Sequence, residues 1–436
     1  MFRTSHRSRI SASRTPAIDK RNPMSNRVLF PLAILVAATF VVAAAFSDAP
    51  NASATPVVRS LPASAAGTSR VELTSTVAEM TAQLAATPGS AAAVVSLANA
   101  LIRLQRVNND GRAVISAEEH LRAFLKRQPQ HYDARRMLAA VLLSQHRFGD
   151  AIAEANELMA NDPRDAWNYG VAGDGYMELG DYARAFDAFD RMGQLQPGPP
   201  AYGRISYALE TKGDLEGALD YMRRAADGTS PNDPESQAWH YAQLGDLLLQ
   251  LGRLPQARLE YERADATFPA HPMAIAGQAR VKMIDGDVKT ARLMLQSQLA
   301  KTAIPDLAAA IGDLSSAIGD ASAADQYYQM AEQIERAAWS NGVKQPQVLA
   351  RILSERPGRA AEAVQLAEEA ARSRADIHTM DTLAWAYYKN GQHAKAAEAS
   401  ARALRTGTRA ARIRCHADVI SGRAPASTRH CLEWRP

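Results

Sequence analysis

Apolar residues recur along most of this chain at steps of three and four, a spacing that places them on one face of an α-helix. Between these stretches a glycine is followed five residues later by an alanine, seven times over. The alanines lie 33, 39, 34, 33, 39 and 33 residues apart, and a period near 34 predicts a stack of similar two-helix units. The pairs are Gly180/Ala185, Gly213/Ala218, Gly252/Ala257, Gly286/Ala291, Gly319/Ala324, Gly358/Ala363 and Gly391/Ala396.

The clearest unit runs from Trp239 to Pro269. We expect Gly252 to end its first helix, because glycine adopts a left-handed backbone without a side-chain penalty. Ala257 is small because the two helices must approach closely near their turn, and Tyr261 continues the buried face of the second helix. Pro269 cannot extend that helix, so it separates this unit from the next.

Some positions depart from this pattern. His146 replaces the turn glycine of its unit, so we expect a different helix end there. Each 39-residue spacing requires about five extra residues, which we place in a loop at Asp227–Pro234 and around Ala338–Gln345. A divergent unit near the start of the array is expected to have a longer loop, Val107–Val114, between its helices.

The order of residues in each unit resembles the tetratricopeptide repeat, whose signature is W-x2-L-G-x2-Y, then A-x3-F, then P. Residues 238–270, for example, carry Leu244, Gly245, Gly252, Ala257 and Tyr261. The resemblance implies an all-α fold, an α-solenoid wound as a right-handed superhelix of about nine units. The good matches are residues 166–199, 238–270, 305–338 and 377–404; weaker copies begin near positions 133, 201, 272 and 345, and the divergent copy lies upstream.

The segment from Asn341 through Gly422 is also similar to the C-terminal part of a group of poorly characterised bacterial repeat proteins. That resemblance implies a bacterial origin. It also implies that Ala410–Ser421 is the first helix of a unit whose second helix is missing. The array is therefore expected to occupy residues 76–421, followed by a basic C-terminal tail at residues 422–436.

The N-terminus has the pattern of an export segment. Residues 1–27 hold seven Lys/Arg and one Asp, and residues 28–46 follow without a charge. Two interpretations stay open: a cleaved signal peptide, with Ala52-Ser-Ala54 as one cleavage site, or an uncleaved membrane anchor. Residues 47–75, rich in Ala, Ser, Pro and Thr, are expected to be a flexible tether. Both interpretations place the array in the periplasm, either anchored in the inner membrane or released.

Charge argues against nucleic acid as a partner. The chain carries +4 overall, but removing the +6 of residues 1–27 and the +5 of residues 405–436 leaves −7 for the rest. A mildly acidic array lacks the basic face that phosphate backbones require.

The only cysteines are Cys415 and Cys431. A disulfide would fasten the tail to the last helix, and exported proteins can keep such bonds. Free thiols and a metal site with His416 and His430 are the alternatives. Neither Cys-His pair has the ligand spacing of zinc sites, which disfavours the metal.

No catalytic or phosphate-binding motif occurs, so we expect no enzyme activity, no cofactor, no metal and no small-molecule substrate. By resemblance to the family, fixed positions of each first helix line a concave groove that binds a protein or peptide. Asp174, Asp246 and Asp313 share the ninth position and would form an acidic stripe. Trp167 and Trp239 have an alternative role as packing residues between units. The groove candidates are Arg136, Trp167, Asp174, Met177, Tyr207, Trp239, Asp246, Arg280, Asp313, Trp385 and Tyr388.

The sequence therefore predicts a non-catalytic scaffold or adaptor of the bacterial cell envelope, attached to the membrane through its N-terminal segment. The alternative is a regulatory accessory subunit of an envelope enzyme or of a secretion or export complex. The Lys and Asn clamp that some members of the family use for a terminal carboxylate is absent from the corresponding positions.

Overall fold

The computed structural model describes residues 70–340, 342–424 and 431. They form twenty α-helices, and this described part contains no strand. The predicted segments 1–27 and 28–46, and most of the tether, lie outside it. The helices are α1 (Arg70–Ala86), α2 (Ala91–Asn108), α3 (Gly111–Leu125), α4 (Tyr132–Ser144), α5 (Phe148–Asn161), α6 (Ala166–Leu179), α7 (Tyr182–Leu195), α8 (Pro199–Thr211), α9 (Leu215–Gly228), α10 (Pro234–Gln250), α11 (Leu254–Thr267), α12 (Pro272–Ile284), α13 (Val288–Lys301), α14 (Pro305–Ala317), α15 (Ala321–Ser340), α16 (Pro346–Ser354), α17 (Ala360–Ser373), α18 (Ile377–Lys389), α19 (His393–Ala403) and α20 (Ala411–Ile420).

The helices pair as nine hairpins, units 1 to 9, from α2/α3 to α18/α19, and each helix packs on its neighbours in the chain. The all-α solenoid of about nine units is therefore confirmed. One helix, α1, precedes unit 1, and it begins at Arg70, inside the segment assigned to the tether. One helix, α20, follows unit 9, as expected for Ala410–Ser421. Among the helices of residues 70–424, none is both long and apolar enough to cross a bilayer.

The loop of unit 1 is shorter than the sequence indicated. The prediction of a long loop at Val107–Val114 is wrong, because only two residues separate α2 from α3. Asn109 takes a left-handed φ of 54°, which ends α2. The side chain of Asp110 then accepts a hydrogen bond from the Arg112 N–H, which starts α3. These two polar residues make a tight turn without a glycine.

The turn at His146 also differs from expectation. His146 has φ 60°, and Gly180, the turn glycine of unit 3, has φ 77°. The N–H of His146 donates to the carbonyl of Leu143, as the Gly180 N–H does to Met177. The expectation of a different helix end is therefore wrong: a histidine accepts the same left-handed conformation that glycine adopts in the other units.

Aromatic rings on second helices explain the glycines on first helices. Tyr261 is fully buried. Its ring lies against Gly245 of its own unit and Gly277 of the next, and a Cβ at either would come within 3.0 Å of it. Phe189 and Gly173 repeat the arrangement in unit 3. Each ring thus ties neighbouring first helices together, which is what makes the period structural.

The array comes round far enough for its early units to contact loops 194 to 225 residues later in the chain. The Arg70 guanidinium donates to the carbonyl oxygens of Pro269 and Ala270 at 3.1 and 2.9 Å. The Asn109 side chain donates to the Ala303 carbonyl at 3.0 Å. We call this line of contacts, which joins early helix ends to later inter-unit loops, the inter-turn seam.

The seam continues between units 3 and 4 and the loops that follow units 8 and 9. The turn glycine Gly180 lies so close to Ala375 that a Cβ would come 2.5 Å from the Ala375 carbonyl. Gly213 abuts the Gly407 carbonyl oxygen in the same way. Two backbone N–H groups donate across the seam here: Ala375 to the Leu179 carbonyl (3.2 Å) and Ile377 to the Tyr182 hydroxyl (2.8 Å). Arg405 donates across it to the Gly180 carbonyl (3.2 Å) and, on its own side, to the Ala375 carbonyl (2.6 Å). Arg374 forms an ion pair with Glu178.

Both insertions that break the 34-residue period lie on this seam. The first places Asp233 2.8 Å from Arg103 of α2, and the next turn places Glu235 2.5 Å from Arg106. The second insertion places Val343 against Gly111, at the start of α3. The extra residues therefore bring side chains across to the first unit.

The C-terminal end of the array carries a covalent bond. Cys415 of α20 forms a disulfide with Cys431, which is buried against Trp385 and Val419. Neither sulfur is then a thiolate that could bind a metal. His416 also lies under this end: its ring stacks on Trp385 at 4.0 Å, and its Nδ1 lies 3.0 Å from the Asp381 carboxylate. The disulfide thus fastens Cys431 to α20 beside the apolar side chains of the last unit.

Candidate functional site

Helices from several places in the chain line one cavity of about 500 Å³. We call it the chamber. Its walls come from α10, α12, α13, α14, α16 and α20, and the end of α2 closes one side through Arg106 and Asn109. Its apolar lining consists of Pro272, Met273, Ala276, Ala279, Met283, Leu295, Ile304, Leu307, Ala310 and Leu314.

Charged side chains of the chamber are matched within the array. Asp246 accepts a hydrogen bond from the Tyr261 hydroxyl at 2.5 Å and pairs with Arg280 of the next unit. Asp313 accepts one from the Tyr328 hydroxyl at 2.6 Å. Burial raises the pKa of the Asp313 carboxyl, opposed by the positive charge of Arg412.

Arg351 of α16 pairs with Asp306. The chamber therefore presents an apolar floor between ion pairs, an arrangement that holds both apolar and polar parts of a ligand.

A second group of side chains, which we call the acidic wall, lies in units 3 and 4. Tyr207 is 37% exposed, yet burial, with the charges of Glu178 and Glu210, raises the pKa of its phenol well above its usual value. Burial also raises the pKa of Glu210 to about 7, although a hydrogen bond from the Gln250 amide at 2.6 Å opposes the shift.

Glu178, which forms the ion pair at the seam, is perturbed in the same way. Burial raises its pKa to about 7, Arg374 opposes the shift, and Asp376 and Asp174 add to it. Asp174 itself holds Arg204 by hydrogen bonds at 2.6 and 2.9 Å. The acidic wall therefore places two carboxyl groups with pKa values of about 7 beside the exposed Tyr207.

Comparison with known proteins agrees with the hairpin geometry. The family model described as tetratricopeptide repeat matches residues 116–166 and 171–236. The hairpins at residues 116–166 and 171–236 are therefore tetratricopeptide repeats. A comparison with curated proteins finds no sequence match.

Several solved structures are similar to this one at low identity. The Cut9–Hcn1 hetero-tetramer of the APC/C gives a TM-score of 0.48 at 15% identity, covering 76% of this chain and 56% of that one. Yeast Tom70 gives 0.44 at 14% identity, covering 81% and 86%. TTC0263 of Thermus thermophilus gives 0.37 at 20% identity, covering 43% and 99%. This protein thus spans little more than half of the Cut9–Hcn1 chain.

Several residues predicted for the groove of the repeat array lie in its core. Met177 is 3% exposed and packs with Ala185 and Phe189. Arg136 is 3% exposed and pairs with Asp165 at 2.8 Å. These two side chains hold neighbouring units together, and little of either is exposed to a ligand.

The predicted aromatic anchors are also largely packed between repeats. Trp167 and Trp239 are half-buried against two of the core clusters, in keeping with the alternative that they pack between units. Trp385 is 4% exposed and stacks on Tyr388, and its indole N–H donates to Glu355 at 2.6 Å. Tyr207 is therefore the aromatic candidate that the structure exposes most clearly.

The structure brings Asp246, Arg280 and Asp313 to one chamber, whereas Asp174 and Tyr207 lie on the acidic wall. Each of the three aspartates of the predicted stripe already bonds an arginine or a tyrosine of the array. Sequence reasoning missed Arg351, Arg412 and the apolar floor. The alternation of Asp246, Arg280 and Asp313 at one repeat position could have indicated internal ion pairs.

Proposed function

We propose that this tetratricopeptide repeat protein is a non-catalytic scaffold that binds an extended segment of a protein partner in its chamber. Members of the family generally bind proteins and are generally non-catalytic. The observation that carries the proposal is the cavity of about 500 Å³, with its apolar floor and the ion pairs along its walls. An extended segment can place an apolar side chain on the floor and turn its main-chain groups toward the charged walls.

The floor offers a direct test through small residues that are partly exposed. Ala276 and Ala310 line the chamber, and replacing either with tryptophan fills part of it. Ala300, exposed on the second helix α13 and not among the chamber residues, is the matched control. A photoreactive residue at position 276 or 310 would capture the partner in cells, and one at position 300 would not.

The affinity of each variant for the captured partner then tests whether the partner binds in the chamber. We expect Ala276→Trp and Ala310→Trp to weaken it at least about tenfold, because a filled pocket cannot accept an anchor side chain. Ala300→Trp should stay within about twofold, as surface changes usually do. Equal affinity of all three variants would contradict binding in the chamber.

For the compartment, we propose the bacterial periplasm, with attachment to the inner membrane through residues 28–46 or release after cleavage. The basic segment 1–27 before an uncharged apolar run supports export. The disulfide Cys415–Cys431 supports it independently, because such bonds persist in oxidising compartments. Fractionation of cells and the mass of the mature N-terminus test this; a cytoplasmic protein with reduced cysteines would contradict it.

A further inference from the structure

The inter-turn seam has two parts of different chemistry. At the first, α1 and α2 meet the loops before units 5 and 6, and the fully buried Leu73 and Val107 share a core cluster with Phe268 and Tyr241. We call this part the anchor. Separating it would expose apolar side chains to water, which opposes opening strongly.

The second part, which we call the latch, joins units 3 and 4 to the loops after units 8 and 9. Its contacts are mainly polar: the ion pair of Glu178 with Arg374, two backbone N–H groups bonded across the seam, and Arg405 bonded to the Gly180 carbonyl. The ring of Tyr182 is its aromatic contact with the C-terminal core. Polar groups of this kind exchange a protein partner for water, so opening the latch costs less than exposing the apolar side chains of the anchor.

Packing at the latch side of the seam is also incomplete. A cleft of about 270 Å³ lies between the turn at His146–Asp150 and the segment Lys344–Gln347, beside Arg374. The chamber itself depends on this side, because Arg351 in its wall belongs to α16 of unit 8, and Arg412 belongs to α20, which directly follows the loop after unit 9. Any movement of units 8 and 9 away from units 3 and 4 would withdraw that wall.

We propose that the latch opens while the anchor holds, so that units 8 and 9 act as a gate that admits the partner segment to the chamber and then closes over it. The gate rests on the proposed function for its occupant, but the movement itself can be measured without a partner. A chamber of about 500 Å³ behind such a gate fits an unfolded segment of a protein and is too small for a folded domain.

The movement is tested by pulsed EPR distances in the full chain with its disulfide intact. Spin labels on the exposed Ala183 and Ala401 report the latch, and labels on the exposed Val71 and Ala266 report the anchor. We expect two distances for the latch pair and one for the anchor pair. A single distance for the latch pair would overturn the proposal.

A single-atom change shows whether the latch contacts control this equilibrium. Tyr182→Phe removes the hydroxyl that accepts the Ile377 N–H, and should raise the open-to-closed ratio about two- to tenfold, the value of one hydrogen bond. Tyr169→Phe is the control, because the Tyr169 hydroxyl donates to the carbonyl of Pro163, six residues earlier, and this bond does not cross the seam. An unchanged ratio in Tyr182→Phe, or an equal change in both variants, would contradict the latch.

The captured partner separates this proposal from the previous one. A saturating partner should shift the latch pair toward the closed distance, and should do so less in Ala310→Trp. Binding in the chamber with no shift in the latch distances would refute the gate and leave the scaffold intact. Two latch distances with no effect of Ala310→Trp on affinity would refute binding in the chamber and leave the movement.

Discussion

Two turn glycines with the same backbone conformation offer a test of the seam. Gly180 has φ 77° and Gly252 has φ 72°, so an alanine at either position pays the same left-handed penalty, about 1–2 kcal/mol. Their surroundings differ. A Cβ at Gly252 meets nothing within 4 Å, whereas a Cβ at Gly180 would come 2.5 Å from the carbonyl carbon and oxygen of Ala375.

The extra cost of Gly180→Ala is limited by what the latch contributes. The Cβ would separate the Ala375 N–H from the Leu179 carbonyl (3.2 Å) and move Gly180 from Arg405 (3.2 Å). A neutral hydrogen bond contributes about 0.5–1.5 kcal/mol and one to a charged group about 1.5–3 kcal/mol. We therefore expect Gly180→Ala to destabilise the latch by about 2–4 kcal/mol more than Gly252→Ala does.

Hydrogen exchange measures this difference locally, which suits a repeat array whose unfolding is not all-or-none. We expect exchange of residues 375–377 to become at least about tenfold faster in Gly180→Ala, where tenfold corresponds to about 1.4 kcal/mol. In Gly252→Ala it should change less than about twofold. If both variants exchange equally fast at residues 375–377, the two turns are not in contact there.

Two further predictions follow from distances and charges. A Cβ at Gly111 would lie 3.5 Å from the Cβ of Val343, so the double variant Gly111→Cys/Val343→Cys should form a disulfide on oxidation. The control Gly149→Cys/Val343→Cys should not. A non-reducing gel and mass analysis check this. The pKa of Glu210 is raised to about 7, so its contribution to stability is full below its usual pKa near 4.5 and is lost as pH rises through 7. Urea denaturation should therefore show Glu210→Gln becoming more stable relative to the wild type as pH rises from 5 to 8. The control Glu262→Gln, at an exposed site, should not show this change. A stability difference between Glu210→Gln and the wild type that is the same at every pH would contradict the argument.

The fold was predictable because its causes are local. Gly252, Ala257 and Tyr261 act within one unit and its neighbour, so their spacing along the chain already determines the hairpin. The turn at Asn109 and Asp110 escaped prediction because a polar pair can end one helix and start the next without glycine. The turn at His146 also escaped prediction, because no sequence pattern shows that a histidine adopts the left-handed conformation.

The candidate site was predicted less well, because tertiary pairing decides which side chains stay accessible. Asp246 stands at the expected repeat position, but the sequence did not show that Arg280 and Tyr261 bind it. The seam was out of reach as well, since Arg103 and Asp233 lie 130 residues apart and neither belongs to a repeated pattern. The insertions at Asp227–Pro234 and Ala338–Gln345 were located correctly as departures from the period, but not as bridges to unit 1.

The seam also fixes how many hairpins can lie between the points that it joins. Each contact across it matches a particular unit to a particular later loop, as Gly180 is matched to Ala375. An extra hairpin between these two points would bring a different loop opposite Gly180, and losing one would do the same in the other direction. An open solenoid can gain or lose internal copies with only local consequences. Here the number of hairpins between two residues in contact across the seam is constrained. Hairpins can be gained or lost freely only outside those residues.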